Sequence, residues 1–255
     1  MSLYETEALV LRTYNLAEAD KIVVLLSRQA GLLRGVAKGA RKIRNRFGAA
    51  LEPFTLIGLT YYQKEHQELV SVRNAEIIES HFDLLGDPET LAMLAYVGDL
   101  ILEFCPPHQE NDKLLRMVKA CLKAIVEGPQ DLQLILRYFE VWVLRLGGFL
   151  PDVRQCAGCG EQLGEGRTIF VSDDLSLVCQ NCVQGKREAL SAAVHSRLCA
   201  TRDQSPATFA AESRELSTRG QREFASLTQR MIDSVLDHRP RVQPVWPPLQ
   251  SKANA

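Results

Sequence analysis

The chain has 255 residues, of which 46% are hydrophobic and 24% charged, and its formal net charge at pH 7 is −1. This composition is sufficient to bury a hydrophobic core, and the length suggests one large or two to three small domains. No stretch reaches the roughly 18 apolar residues of a membrane helix, and the first residues lack the basic and apolar regions of a secretory signal. We therefore expect a cytoplasmic protein with no membrane partner.

The first eighty residues predict a β-rich domain. Five short segments rich in β-branched and aromatic residues, separated by Gly or charged breaks, cover residues 7–14, 21–28, 32–37, 54–63 and 69–78. Five short strands in about eighty residues favour a small barrel such as an OB-fold, with an SH3-like barrel as the alternative. We assign residues 1–80 to this barrel.

From residue 81 onward the apolar residues follow a helical period. Helices are predicted over 88–104, 111–127 and 129–146, with Asp87 and Asn111 as N-caps, and residues 81–155 are expected to form a helical bundle. Shorter and longer helices over 187–198 and 218–238, the second capped by Ser217 or Thr218, would complete the helical domain within residues 184–239. Residues 240–255 contain four prolines and no apolar period, so we predict a disordered tail.

Four cysteines carry the strongest chemical signal. Cys156, Cys159, Cys179 and Cys182 form two Cys-x-x-Cys pairs separated by nineteen residues, which is the spacing of a structural zinc ribbon. Four thiolates would close a tetrahedron around one Zn²⁺ per chain and leave no position for a substrate. Residues 156–183 are therefore interpreted as the ribbon, with a hairpin formed by 167–171 and 175–178.

Two disulfides or a redox-active Cys-x-x-Cys are the rival interpretations of these cysteines. Disulfides require an oxidising compartment, and a thioredoxin-like motif requires one pair at the start of a helix in a βαβ unit. Neither requirement agrees with a cytoplasmic chain whose two pairs lie in a turn-rich stretch. Cys105, Cys121 and Cys199 lie among apolar neighbours and are expected to be small core residues.

The charge is distributed unevenly. Residues 21–51 contain eight Lys or Arg and no Asp or Glu, and most of these cations fall in a predicted surface loop between the third and fourth strands. Such a patch favours polyanions because cations neutralise phosphates and release counterions. Lys38, Arg41, Lys42, Arg44 and Arg46 are the predicted primary phosphate contacts, and Arg34 and Arg28 are secondary ones. Phe47, Tyr14, Tyr61 or Tyr62 could stack on bases, although each is individually more typical of a core.

Catalytic signatures are mostly missing. The chain has no phosphate-binding G-x-x-x-x-G-K-[ST], no G-x-G-x-x-G after a strand and no His-Glu-x-x-His. His-x-Glu occurs at His66 and His108, which with a Cys-x-x-Cys would imitate a zinc nucleobase deaminase. That family requires Pro before its first cysteine, whereas Gln155 and Val178 precede the pairs here. We therefore expect no enzymatic activity and keep the deaminase as a minor alternative.

The chain resembles the RecO recombination mediators of bacterial DNA repair. The segments that carry this resemblance are 7–14, 18–27 with Gly31, 36–42, 51–54, 139–147 with Pro151, and 156–160, and together they extend the similarity from about residue 3 to about residue 238. The chain departs from the family pattern at residues 43–46, where Ile-Arg-Asn-Arg replaces the usual Lys or Arg followed by small polar residues.

The resemblance implies a multidomain α+β protein, in which an N-terminal OB-fold-like β-barrel is followed by an α-helical domain with an inserted zinc ribbon. It further implies binding of single- and double-stranded DNA, strand annealing without ATP, and a nucleoid-associated location in bacteria. The implied partners are RecR, the acidic C-terminal tail of single-stranded DNA-binding protein and, indirectly, RecA. We place the tail on the helical region near Arg116, Lys119, Lys123 or Arg137. A ribbon protein that acts on RNA or in transcription is the alternative interpretation, because a basic loop contacts phosphates and does not distinguish the sugar of RNA from that of DNA.

Overall fold

The computed structural model describes residues 2–64, 67–107, 109–164 and 166–236. His66, His108 and the predicted tail at 240–255 lie outside these residues. The chain divides into two compact units, Met1–Lys119 and Ala120–Ala255, and helix α2 spans the division. In the described part of the chain no helix is both long and apolar enough to cross a membrane.

Five strands form a closed ring in the first unit. They are β1 (Ser2–Leu16), β2 (Asp20–Ser27), β3 (Gly31–Ala37), β4 (Leu56–Gln63) and β5 (Leu69–Glu79). Their order is β1-β2-β3-β5-β4, and β1 closes the ring by pairing with β4. All the pairs are antiparallel except β3 with β5. The sequence correctly predicts all five strands, but the predicted β1 (7–14) is shorter than the observed one. The additional residues belong to the strand because the first half of β1 pairs with β4 and the second half with β2.

Alternate residues of the strands fill the interior of the ring. Val10, Val23, Leu25 and Leu59 are almost completely buried there, as expected for side chains at a period of two. The loop between β3 and β4 adds Ala40, Phe47, Ala50 and Leu51 to the same core. The segment that carries most of the basic residues is therefore attached to the ring at several points along its length.

Helices α1 (Pro88–Phe104) and α2 (Asp112–Glu127) follow the ring and agree with the predicted positions. Asp87 caps α1 as predicted, because its Oδ2 accepts a hydrogen bond from the Thr90 N–H at 2.8 Å. Asn111 Oδ1 accepts from the Leu114 N–H at 3.3 Å and plays the predicted capping role for α2. The side chain of Arg12 on β1 pairs with Asp99 of α1 at 2.5 Å.

The second unit contains the small sheet and the remaining helices. A 3-10 turn at Pro129–Asp131 leads into α3 (Leu132–Leu146), and α4 (Ala192–Ala200), α5 (Pro206–Ser213) and α6 (Thr218–Val235) follow the sheet. Helix α3 packs mainly against α5 and α6. The sequence did not predict α5, so one of the two helices that pack on α3 was missing from the predicted helical domain.

The small sheet consists of β6 (Ile169–Val171), β7 (Leu177–Cys179) and β8 (Ala189–Leu190) in the order β7-β6-β8. Strands β6 and β7 form the predicted hairpin. The predicted helix over 187–198 is wrong at its start, because Ala189 and Leu190 pair with β6 instead. Ser191 then caps α4 by accepting from the Val194 N–H at 3.3 Å. Helix α6 begins after the predicted cap Ser217 and ends at Val235, a turn earlier than expected.

Candidate nucleic-acid interface and metal centre

The basic loop, which we define as residues 38–46, is fastened at its start to the turn between β1 and β2. The Gly39 N–H donates to Asp20 Oδ1 at 2.7 Å, and the Arg41 N–H donates to the Ala19 carbonyl at 2.9 Å. The Arg41 side chain also donates from Nη1 to the Ala17 carbonyl at 2.6 Å. These bonds hold the backbone of the loop in place before any ligand arrives.

The end of the basic loop is fastened by its own side chains. Phe47 is only 3% exposed and belongs to the core of the ring. Asn45 Oδ1 accepts from the backbone N–H groups of Phe47 and Gly48, both at 2.9 Å, and Arg46 Nη2 donates to the Val72 carbonyl at 3.2 Å. A loop fixed at both ends loses little conformational entropy when it binds, which favours affinity.

The five predicted primary contacts are all exposed on this loop. Lys38, Lys42 and Arg44 make no ion pair with any described residue, whereas Arg41 and Arg46 each use one N–H on a backbone carbonyl and keep their charge. Of the secondary predictions, Arg34 is exposed on β3. Arg28 differs, because Glu7 and Asp112 each approach its guanidinium to 3.0 Å. Its charge is therefore neutralised within the protein.

The structure adds candidates that sequence reasoning missed. Ile43 at the tip of the basic loop is 103% exposed, so nothing in the described residues covers it. Lys64 lines a surface groove together with Lys38 and the half-buried Tyr62, which is one of the proposed stacking residues. Lys64 lies outside the basic segment, and no local sequence signal connects it with Lys38. Among the proposed stacking residues, Phe47 and Tyr61 are buried in the core, while Tyr14 is 46% exposed.

The four predicted zinc ligands come together in the second unit. The sulfurs of Cys156, Cys159, Cys179 and Cys182 lie within 4.8 Å of one another, and those of Cys159 and Cys179 are 3.8 Å apart. A tetrahedron with Zn–S bonds of about 2.3 Å has edges of about 3.8 Å, so the spacing fits Zn²⁺. All seven cysteines of the chain are free thiols in this structure. The geometry thus agrees with a metal site and not with two disulfides.

The electrostatics of the cluster also indicate a cation. Desolvation opposes ionisation of Cys156, but N–H donors from Cys179, Cys159 and Gly158 outweigh it and lower the pKa of this thiol to about 6. The neighbouring sulfurs of Cys159, Cys179 and Cys156 raise the pKa of Cys182 to about 12. Four thiolates this close together would repel one another, and a cation bound between them would stabilise all four in the ionised form. The bound metal would supply the bonds that hold the two turns of the ribbon together.

Backbone conformation explains one glycine at the metal cluster and close packing explains another. Gly160, directly after Cys159, adopts φ +74°, and its N–H donates to the Cys156 carbonyl at 2.8 Å. A Cβ on Gly158 would lie 2.8 Å from the Cys182 Cβ and 2.9 Å from its sulfur. Elsewhere, Cys105 and Cys121 are buried as expected, while Cys199 is half-buried beside His195.

The four cations suggested for an acidic tail all have partners inside the protein. Arg116 pairs with Asp112, Lys119 with Glu7 and Lys123 with Glu127. Arg137 is only 5% exposed, and its guanidinium lies 2.9 Å from Glu140. The suggestion of Arg137 as a docking residue is therefore wrong, because a peptide cannot reach it without breaking a buried ion pair.

Comparison with known proteins gives matches to two family models over nearly the whole described chain. Residues 1–81 match the model described as Recombination protein O N terminal, and residues 85–244 match Recombination protein O C terminal. The DNA repair protein RecO of Koribacter versatilis is 39% identical over 179 residues, which cover 70% of this chain and 72% of that protein. The DNA repair protein RecO of Anaeromyxobacter sp. (strain K) is 30% identical over 239 residues, with 94% of both chains covered.

Proposed function

Because this chain belongs to the RecO family of DNA repair proteins, we propose that it binds single- and double-stranded DNA through the basic loop and anneals complementary strands without ATP. Five exposed cations on a loop that is already fixed in place are the observation that carries this proposal. Two single strands repel each other through their phosphates, and a protein that neutralises both lowers this barrier without consuming a nucleotide.

The closed ring supports the choice of an OB-fold for the DNA-binding domain. Five strands in a ring, with the single parallel pair between β3 and β5, agree with a small Greek-key barrel of this type. OB-folds bind oligonucleotides on the face of strands 2 and 3 and on the loops between strands 1 and 2 and strands 4 and 5. The basic loop is bonded to the first of these connections through Ala17 and Ala19. The groove of Lys38, Tyr62 and Lys64 lies beside the second.

Zinc has a structural role in this proposal, and the protein performs no catalytic turnover. The four sulfurs would occupy all four positions of a tetrahedral ion, whereas a catalytic zinc keeps one position for water. A zinc deaminase binds its ion through three protein ligands and one water, and a fourth cysteine ligand would exclude that water. The family resemblance implies that the partners in this function are RecR and the tail of single-stranded DNA-binding protein. It also implies that RecA is loaded onto single-stranded DNA that this binding protein covers.

Strand annealing and the salt dependence of DNA affinity test the proposal together. If all five loop cations contact phosphates of one strand, log affinity against log salt has a slope of about −3.5, at roughly −0.7 per contact. Lys42→Ala with Arg44→Ala should flatten this slope by about 1.4 and slow ATP-free annealing. These two positions are chosen because neither side chain makes a described bond within the protein.

A control variant separates local contacts from net charge. Lys113→Ala with Arg202→Ala also removes two exposed cations that have no described ion-pair partner, but both residues lie outside the basic loop. This variant should retain the slope and the annealing rate of the parent protein. Equal slopes for the parent and the loop variant would remove the loop from the DNA-binding surface. Tighter binding to RNA than to DNA of the same sequence would favour the alternative of an RNA-acting ribbon protein.

A further inference from the structure

A second basic surface lies in the second unit, between the end of the ribbon and helix α6. One wall of this groove consists of residues 186–190, including β8, and the other is the exposed face of α6. Five cations line it against two carboxylates, a local excess of three positive charges: Lys186, Arg187, Arg219, Arg222 and Arg230, with Glu188 and Glu223. None of these cations was predicted as a DNA contact from the sequence.

The cations on α6 form a row along one side of the helix. Arg219, Arg222, Ser226 and Arg230 are separated by three, four and four residues, which places them on a common face. Phe224 and Met231 on the opposite face are buried in the unit and hold the helix in place. Arg219 and Arg230 are eleven positions apart, which corresponds to about 16 Å of helix, long enough to follow several nucleotides of an extended strand.

The two carboxylates of the groove offset only two of its five positive charges. Glu223 Oε1 accepts a hydrogen bond from the Ser191 N–H at 2.8 Å, which holds this side chain at the start of α4. Glu188 lies 3.7 Å from Arg219, and both side chains are nearly fully exposed. Ion pairs between such exposed side chains contribute little interaction energy. Arg187 pairs with Asp173. Lys186, Arg222 and Arg230 have no ion-pair partner among the described residues.

The chemistry of the groove favours phosphates over a peptide anchored by apolar side chains. Its two leucines, Leu190 and Leu227, are 7% and 3% exposed. None of the large hydrophobic side chains exposed in the described chain lines the groove. A peptide that binds by an apolar anchor would find no pocket here, while guanidinium groups in a row suit the charge and the hydrogen-bond acceptors of phosphates.

We infer that this α6 groove is a second site for the sugar–phosphate backbone of DNA, distinct from the basic loop. The inference rests on the proposed function, since it assumes that the protein binds and anneals DNA. A chain with two separate phosphate sites neutralises more phosphate than one loop can reach. The groove should therefore add its own contacts to the salt dependence and contribute to the rate of annealing.

The affinity for fluorescent single-stranded DNA, measured from 50 to 200 mM salt, tests this inference. Four proteins are compared: the parent, the loop variant Lys42→Ala/Arg44→Ala, the groove variant Arg222→Ala/Arg230→Ala and the control Lys113→Ala/Arg202→Ala. The groove variant should flatten the slope by about 1.4 and the control should not. The affinity of the parent would then fall about 7-fold more than that of the groove variant across this salt range. A variant that combines the loop and groove substitutions should flatten the slope by about 2.8 if the two sites are independent.

The outcomes separate this inference from the proposed function. Parent protein that fails to bind or anneal DNA would overturn the proposed function and the inference with it. Parent protein that binds with a steep slope, together with a groove variant identical to the control, would overturn the inference alone. Loss of binding to a labelled acidic peptide in the groove variant, with unchanged DNA affinity, would assign the groove to a protein partner and reject the DNA site. Unchanged thermal midpoints and zinc content confirm that each variant is folded.

Discussion

Replacing Arg137 by Met should destabilise the second unit strongly, because this side chain belongs to a buried ion pair. The Glu140 side chain is fully buried, and the two charges lie 2.9 Å apart. Thr228 also donates to Glu140 Oε2 at 2.5 Å, so the pair connects α3 with α6. Removing one member of a buried pair leaves a buried charge without its counter-ion and costs about 3–5 kcal/mol. This is a large part of the roughly 5–15 kcal/mol that stabilises a typical domain.

Urea unfolding followed by tryptophan fluorescence measures this effect. Trp142 belongs to α3 and donates to the Thr201 carbonyl at 2.8 Å, so its emission reports on the second unit. A Trp246→Phe background removes the other tryptophan of the chain. At about 2 kcal/mol per molar urea, the midpoint should fall by about 1.5–2.5 M. Arg137→Met combined with Glu140→Leu should recover most of the loss, because no buried charge is left. A midpoint that does not move in the single variant would refute the reasoning.

Three further predictions concern the metal site, the loop tip and one tight turn. Purified protein should contain about one Zn²⁺ per chain by elemental analysis. Cys156→Ser should lose the metal and make the ribbon accessible to protease. A stable folded protein without zinc would contradict the structural role of the metal. Ile43→Ser should leave the thermal midpoint unchanged because the side chain is fully exposed, and should weaken single-stranded DNA binding without changing the salt slope if Ile43 contacts bases. Gly31→Ala should destabilise the first unit in urea far more than Gly48→Ala. Both glycines have positive φ, but of the two only Gly31 would bring its new Cβ against a carbonyl oxygen, which is that of Gln109 at 2.2 Å.

Strong periodicity and short-range spacing explain what could be predicted from the sequence. The five strands, helices α1 and α2, and the four cysteines each show a pattern that local chemistry alone produces. Helix α5 was missed because it has only eight residues, although Ser205 followed by Pro206 gave a start signal that could have identified it. Strand β8 was read as helix because two residues cannot show a period, and only pairing with β6 defines them.

The candidate site was predictable in its charge but not in the partners of each charge. Arg28, Arg41 and Arg137 look alike in the sequence, yet one is held by two carboxylates, one fastens the basic loop to a turn, and one is buried beside Glu140. These differences arise from residues far away along the chain. The basic row of the α6 groove was missed for the same reason, because its two walls are separated by about thirty residues and meet only in the folded unit.

The way the basic loop is fastened has a consequence for how this protein can evolve. Its anchors use backbone groups together with the side chains of Asp20, Arg41, Asn45, Arg46 and Phe47, and the side chains of residues 42–44 take no part in them. Substitutions at these three positions can therefore accumulate without disturbing the ring. If the loop binds DNA as proposed, its affinity for DNA can be raised or lowered one charge at a time while the fold beneath is preserved.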